Sequence, residues 1–155
     1  MVRVCFVCTG NICRSPTAEA VFRLRAAAAG LAVDVDSCGI SDEERGNPPD
    51  PRAIAEAARR GVILPKRRAR QIRARDFDVP GLLVGMTAAH VRALQLRRAA
   101  DAAASVHLLL DFAPGLEGRD VLDPWFEIGR SDFADAFELI EHGVDGLIRH
   151  LQSPP

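Results

Sequence analysis

Tyrosine is absent from all 155 residues, and tryptophan occurs once. The chain cannot itself be phosphorylated on tyrosine. Neither sign of charge dominates. The formal net charge is −1, so no global basic footprint points to nucleic acid. No apolar run approaches the length that spans a membrane, and no membrane partner is expected. No signal peptide is read at the start, where Met1-Val2-Arg3 leads straight into a strand-like run, so a cytoplasmic location is expected. Thiols are normally reduced there, and the four cysteines then point to chemistry or packing rather than a disulfide framework. Metal-ligand spacing is missing as well. Cys8 and Cys13 have no second pair at zinc spacing. No metal or organic cofactor is expected, because the Arg14 fork, loop amides and helix dipole of the anion site read below supply the positive charge. The pattern Gly-x-x-x-x-Gly-Lys-Ser/Thr of nucleotide-binding loops does not occur. No internal repeat is found. The length suits one domain over 1–155, with 153–155 frayed, and 48% apolar residues suffice for a sizeable core.

What is present is concentrated in residues 4–18. Val4, Cys5, Phe6 and Val7 form a short apolar run, as expected of a central parallel strand covered on both faces. A polar loop follows, with five residues between Cys8 and Arg14. Gly10 and Asn11 tolerate unusual backbone angles. Ser15 reads as an N-cap and Pro16 as the first helical position. Such a loop makes an anion site, because its N–H groups point inward and the helix N-terminus adds positive potential. Arg14 offers a planar fork for two phosphate oxygens. Cys8 lies at the bottom, where the field that holds a dianion also suits a thiolate facing phosphorus. A cysteine at a strand end is by itself more often core packing. The joint pattern of strand, Cys, five residues, Arg-Ser-Pro and helix points to catalysis.

Downstream, 17–29 reads as a helix closed by Gly30, with Ala20, Val21, Leu24 and Ala28 on its apolar face. Residues 31–37 read as a second strand, which makes a βαβ unit and a parallel sheet. Residues 40–51 are a loop, and 51–60 a helix closed by Gly61. The basic run 66–75 reads as a solvated surface segment or as a device steering anionic substrates. A third strand is expected at 82–86, helix over 88–104 and a fourth strand at 105–110. His90 and His107 read as ordinary surface or packing histidines. The last helix starts at Ser131 and Asp132, with Phe133, Phe137, Ile140 and Val144 as one apolar stripe.

The run Cys8-Thr9-Gly10-Asn11-Ile12-Cys13-Arg14-Ser15-Pro16 resembles the active-site loop of the low-molecular-weight protein tyrosine phosphatases. Gly46-Asn47-Pro48-Pro49-Asp50-Pro51-Arg52-Ala53 and Asp123-Pro124-Trp125-Phe126 continue the resemblance over nearly the whole chain. It implies a single α/β domain with a four-stranded parallel sheet and helices on both faces. It implies hydrolysis of protein phosphotyrosine, or of a small aryl phosphate, through a phospho-cysteine, with inhibition by phosphate-like oxyanions. Cys8 is then the nucleophile and Arg14 the phosphate clamp, with Thr9, Gly10, Asn11, Ile12 and Cys13 completing the loop. Ser15 assists the sulfur, and Asp123 is the general acid and then the general base. Trp125 and Phe126 flank the substrate. Cys13 is either a small filler or the partner of Cys8 in a reversible disulfide.

The chain departs from the family at three places. Glu43, in the loop that the resemblance makes a wall of the substrate site, stands where many relatives carry a tryptophan, Arg67 where they carry a histidine, and Thr87 where they carry an aspartate. These favour a non-catalytic phosphate-binding module, against which the intact Cys8, Arg14, Ser15 and Asp123 speak. Two enzymatic alternatives remain. Protein arginine phosphatases carry threonine where this chain has Ile12. Thiol-dependent arsenate reductases need late cysteines, and none follows Cys38.

Overall fold

The computed structural model describes residues 1–124 and 130–153. Its single sheet has four parallel strands: β1 (Val2–Cys8), β2 (Val33–Gly39), β3 (Gly81–Gly85) and β4 (Ala104–Leu108), in the order β2-β1-β3-β4. The continuous apolar run places β1 in the interior, where Val4 to Val7 are fully buried. Period-two alternation divides the strand between two cores. Val4, Phe6 and Cys8 face α1 (Arg14–Ala28), α2 (Pro51–Arg59) and α5 (Arg130–Gln152). Cys5 and Val7 face Phe77 of α3 (Ala74–Asp78) and Leu94 of α4 (Ala88–Arg97). The expected α/β class, strand count and two-sided cover are all present.

The chain leaves β1 towards β2 on one side and returns to β3 on the other. The loop after β1 therefore sits at the switch in strand order, beyond the strand C-termini.

Several local expectations are corrected. Ser15 is not the N-cap. The helix begins at Arg14, the N-cap is Cys13, and no side chain caps it. Leu24 and Ala28 are exposed, and the buried face of α1 runs through Ala18, Val21, Phe22 and Ala26. The span read as helix to residue 104 ends at Arg97, and β4 gives way after Leu108 to a 3-10 turn, Leu109–Phe112. Asp50 caps α2 as a short acidic side chain should, accepting from the Arg52 N–H at 2.8 Å.

The apolar stripe of α5 is buried as expected at Phe133, Phe137, Ile140 and Val144. The helix comes so close to the 3-10 turn that a Cβ on Gly146 would fall on the carbonyl of Phe112. The obstacle is backbone, which no rotamer change removes. Gly146→Ala is expected to cost about 3 kcal/mol. A melting temperature lowered by roughly 6–12 °C would check it, and an unchanged value would sink it.

Candidate active site

The loop after β1 closes tightly around Cys8. Asn11 adopts φ 60°, the left-handed conformation that asparagine tolerates. Its backbone N–H then donates to Cys8 Sγ at 3.3 Å. Gly10 does not have a positive φ. It is needed for space, since a Cβ there would lie 2.9 Å from Glu44 Cγ. Ser15, the second residue of α1, places its Oγ 3.0 Å from Cys8 Sγ.

A chain of hydrogen bonds fixes which way the protons point. The Arg70 backbone N–H donates to Asn11 Oδ1 at 3.0 Å, which sets the amide orientation. Asn11 Nδ2 then donates to Ser15 Oγ at 2.8 Å and to Ser37 Oγ at 3.0 Å. With its oxygen so occupied, Ser15 directs its own hydrogen to the Cys8 sulfur or to the Cys38 carbonyl at 3.4 Å. Ser37 donates to Glu19 Oε1 at 2.6 Å. Glu19 is 1% exposed and is paired with Arg67, as a buried carboxylate must be paired.

In the basic run Lys66, Arg68, Arg73 and Arg75 are exposed, as a solvated segment expects, whereas Arg67 and Arg70 are half-buried and paired. Arg67 reaches Asp36 at 2.6 Å, and Arg70 bridges Asp36 at 2.8 Å and Asp76 at 3.0 Å. Burial pushes the Asp36 carboxyl up, but the hydrogen bonds from Arg67 and Arg70 outweigh it and hold it below the ordinary range. These arginines brace the loop and are not spread over a solvated face. Arg67 supplies a charge that does not titrate.

Arg14 is 4% exposed. It donates from Nη1 to the Val121 carbonyl at 3.0 Å and from Nη2 to Thr9 Oγ1 at 3.4 Å, and Nη2 lies 3.5 Å from Asp123 Oδ2. Cys8, Thr9, Gly10, Ile12, Cys13 and Arg14 form the floor of a cavity of about 280 Å³. Its walls are Glu43, Glu44 and Asp123. Thus residues 115 positions apart in sequence, Cys8 and Asp123, face one cavity. Trp125 and Phe126 lie outside the described residues. All four cysteines are free thiols. Burial, then the negative charges at Cys8 and Asp123, pushes the Cys13 thiol well up, so it stays protonated. Cys5 and Cys38, read as packing residues, are buried with sulfurs 3.7 Å apart. Among the described residues no group of histidine, cysteine or carboxylate side chains could hold a metal ion, and no helix is long and apolar enough to cross a membrane.

Two residues of the site were not foreseen. Glu44 is one. The other is His90, which reads as ordinary in sequence but is buried and lies 2.9 Å from Thr9 Oγ1. Its Nδ1 accepts from the Thr87 N–H at 3.2 Å, so its hydrogen sits on Nε2 and is donated to Thr9. The signal was Thr87-Ala88-Ala89-His90, the spacing of a reciprocal helix cap just after a parallel strand.

Burial, with the positive charge of Arg14 adding to it, lowers the His90 pKa to about 4, against a weaker upward pull from Asp120. As pH falls below about 6.5, the unfolded chain takes up this proton and the folded chain does not. The stability that His90 contributes is therefore complete above about pH 6.5 and is lost as pH falls towards 4. Between pH 7 and 5, where carboxylates stay ionised in both states, about 2 kcal/mol should disappear. Urea unfolding of the wild type and His90→Gln at both pH values checks this. The slope should flatten in the variant, and an equal slope would rule it out.

Residues 3–154 match the family model described as low molecular weight phosphotyrosine protein phosphatase. A "Low molecular weight protein-tyrosine-phosphatase" of Streptomyces coelicolor is 44% identical over 153 residues, which cover 94% of this chain and 91% of that protein. The solved structure of YfkJ from Bacillus subtilis superposes with a TM-score of 0.89 at 34% identity, covering 98% of this chain and 95% of that one. That of a Drosophila arginine phosphatase superposes with a TM-score of 0.91 at 26% identity, covering 98% and 99%.

Proposed function

The chain belongs to the low molecular weight phosphotyrosine protein phosphatase family, and from that premise we propose how its own residues divide the work of the reaction. The protein is a cysteine-dependent phosphatase acting on phosphoprotein or phosphate-ester substrates. The observation that carries the assignment of roles is Cys8 Sγ, held by Ser15 Oγ and the Asn11 N–H on the floor of a cavity that Arg14 and Asp123 also face.

Cys8 Sγ attacks phosphorus in line. The P–O bond to the tyrosine ring breaks, and Asp123 delivers its proton to the departing oxygen. Arg14 and the loop N–H groups from Thr9 to Arg14 hold the equatorial oxygens as charge redistributes. Water then attacks the phospho-cysteine, Asp123 takes its proton, and the S–P bond breaks. The Ser15 hydroxyl, 3.0 Å from the sulfur, donates to the thiolate that leaves and stabilises it. Asn11 holds Ser15 and the loop in register. The products are tyrosine and inorganic phosphate.

The substrate is a phosphotyrosine-containing protein or a small aryl phosphate in the cytoplasm, and phosphate-like oxyanions compete for the loop. The phosphatase domain takes in residues 1–155. Under peroxide, Cys13 and Cys8 join in a disulfide, the peroxide taking up the two electrons as water. A second reading, phosphoarginine as substrate, draws on the likeness to the Drosophila arginine phosphatase. Ile12 on the cavity floor speaks against it, because it offers no hydrogen bond to a guanidinium. The test is phosphate release, without added metal, from a phosphotyrosine peptide and from a phosphoarginine peptide of the same sequence. Faster release from phosphotyrosine is expected. The reverse order would replace this reading by the second.

A further inference from the structure

We propose that the mouth of the active-site cavity is a cation-binding rim, formed by Glu43 and Glu44, that selects phosphotyrosines flanked by lysine or arginine. The proposal rests on the phosphatase reading and adds the class of substrate. The phosphate end of the cavity is positive, through Arg14 and the loop N–H groups. The wall above it is negative, with Glu43 and Glu44 lining the same cavity as Cys8. Among the described residues, neither glutamate makes an ion pair, although the chain's other carboxylates near the loop, Glu19, Asp36 and Asp50, all do.

Glu44 is held in place. Its stem lies on Gly10, where a Cβ would come within 2.9 Å of Glu44 Cγ, and its Oε2 accepts from Asn47 Nδ2 at 2.7 Å. Asn47 is neutral and brings no counter-charge. Glu43 is exposed beside it, its backbone N–H tied to Ser41 Oγ at 3.0 Å. Asp42 precedes the pair, and Arg45 is the one cation in residues 41–50.

Two carboxylates at the entrance of a site for a dianion slow the approach of a bare aryl phosphate and oppose its binding. A substrate that carries its own cation beside the phosphotyrosine reverses both effects. The cation meets the rim while the phosphate meets the loop. Each partly exposed pair contributes little, yet two together give a preference on the order of tenfold at low salt. The preference shrinks as salt screens it. An acidic flank is disfavoured by the same charges.

The experiment compares three phosphotyrosine peptides of equal length, with basic, neutral and acidic flanks, at 20 mM and about 500 mM salt. The ratio of kcat/KM for basic over acidic flanks is taken within each enzyme form, so overall rate cancels. Wild type should give about tenfold at low salt and a smaller ratio at high salt. In Glu43→Gln/Glu44→Gln, which keeps an acceptor for Asn47, the ratio should fall to near one. The single Glu43→Lys, at an exposed position, should lower it below the wild-type value. The same order should appear in peptide binding to Cys8→Ser measured by calorimetry, which needs no turnover. A wild-type ratio near one, or a ratio that survives both glutamine substitutions, would overturn the rim. Turnover of p-nitrophenyl phosphate, which has no flank, is followed in parallel. Its failure would strike the phosphatase reading and not the rim.

Discussion

Cys8→Ser is expected to lower phosphate release from an aryl phosphate by at least about four orders of magnitude, while inorganic phosphate still binds. The replacement is nearly isosteric at a position 3% exposed, and the Ser15 and Asn11 hydrogen bonds accept an oxygen as readily as a sulfur. Fold and anion site therefore persist. What is lost is the nucleophile, since a serine hydroxyl here has no general base to ionise it. The groups around position 8 are Ser15, the Asn11 N–H and, beyond them, Arg14. The groups bonded to position 8 are not bases, and Asp123, which shares the cavity, is committed to the leaving oxygen. Rates and phosphate calorimetry on the same preparation settle the matter. Release that survives the substitution would mean that the nucleophile lies elsewhere.

Asp123→Asn is expected to lower kcat by about a hundred- to ten-thousandfold for a phenyl phosphate and by much less for p-nitrophenyl phosphate. A nitrophenolate leaves without a proton, whereas a phenolate near tyrosine in basicity needs one. The contrast separates two roles that the geometry allows. Asp123 also lies 3.5 Å from Arg14 Nη2, and as a mere tether for that guanidinium it would affect both substrates equally, mostly through KM. Equal losses would therefore reject Asp123 as the proton donor.

The two variants depend on features that were visible at different depths. Cys8 and its loop are written within fifteen consecutive residues. An apolar run, a glycine-asparagine turn and an Arg-Ser-Pro helix start act through bonds and contacts between near neighbours, so their spacing carries the geometry with it. The same holds for Asp50 capping α2, Gly30 after α1 and the apolar stripe of α5. Even there, tertiary demand overrode a local preference. Ser15 would cap a free helix well, yet its hydroxyl is drawn to Cys8 and Asn11, and the helix starts without a side-chain cap.

Periodicity and turn chemistry operate over a dozen residues or fewer, so the parallel α/β class, the loop after β1 and the residues proposed as nucleophile and clamp are legible in the sequence. The other features follow from contacts between distant segments. Strand order β2-β1-β3-β4 brings the 66–75 run under the loop, which turns Arg67 and Arg70 from surface charges into partners of Glu19, Asp36 and Asp76. It also places β3 beside β1, so that α4, which follows β3, brings His90 to Thr9 across 81 positions. Glu43 lines the cavity as expected, and Glu44 joins it there. Charge and hydrogen-bond pairing between distant residues depend on which strands are neighbours. No local pattern records that order until the sheet has closed around β1.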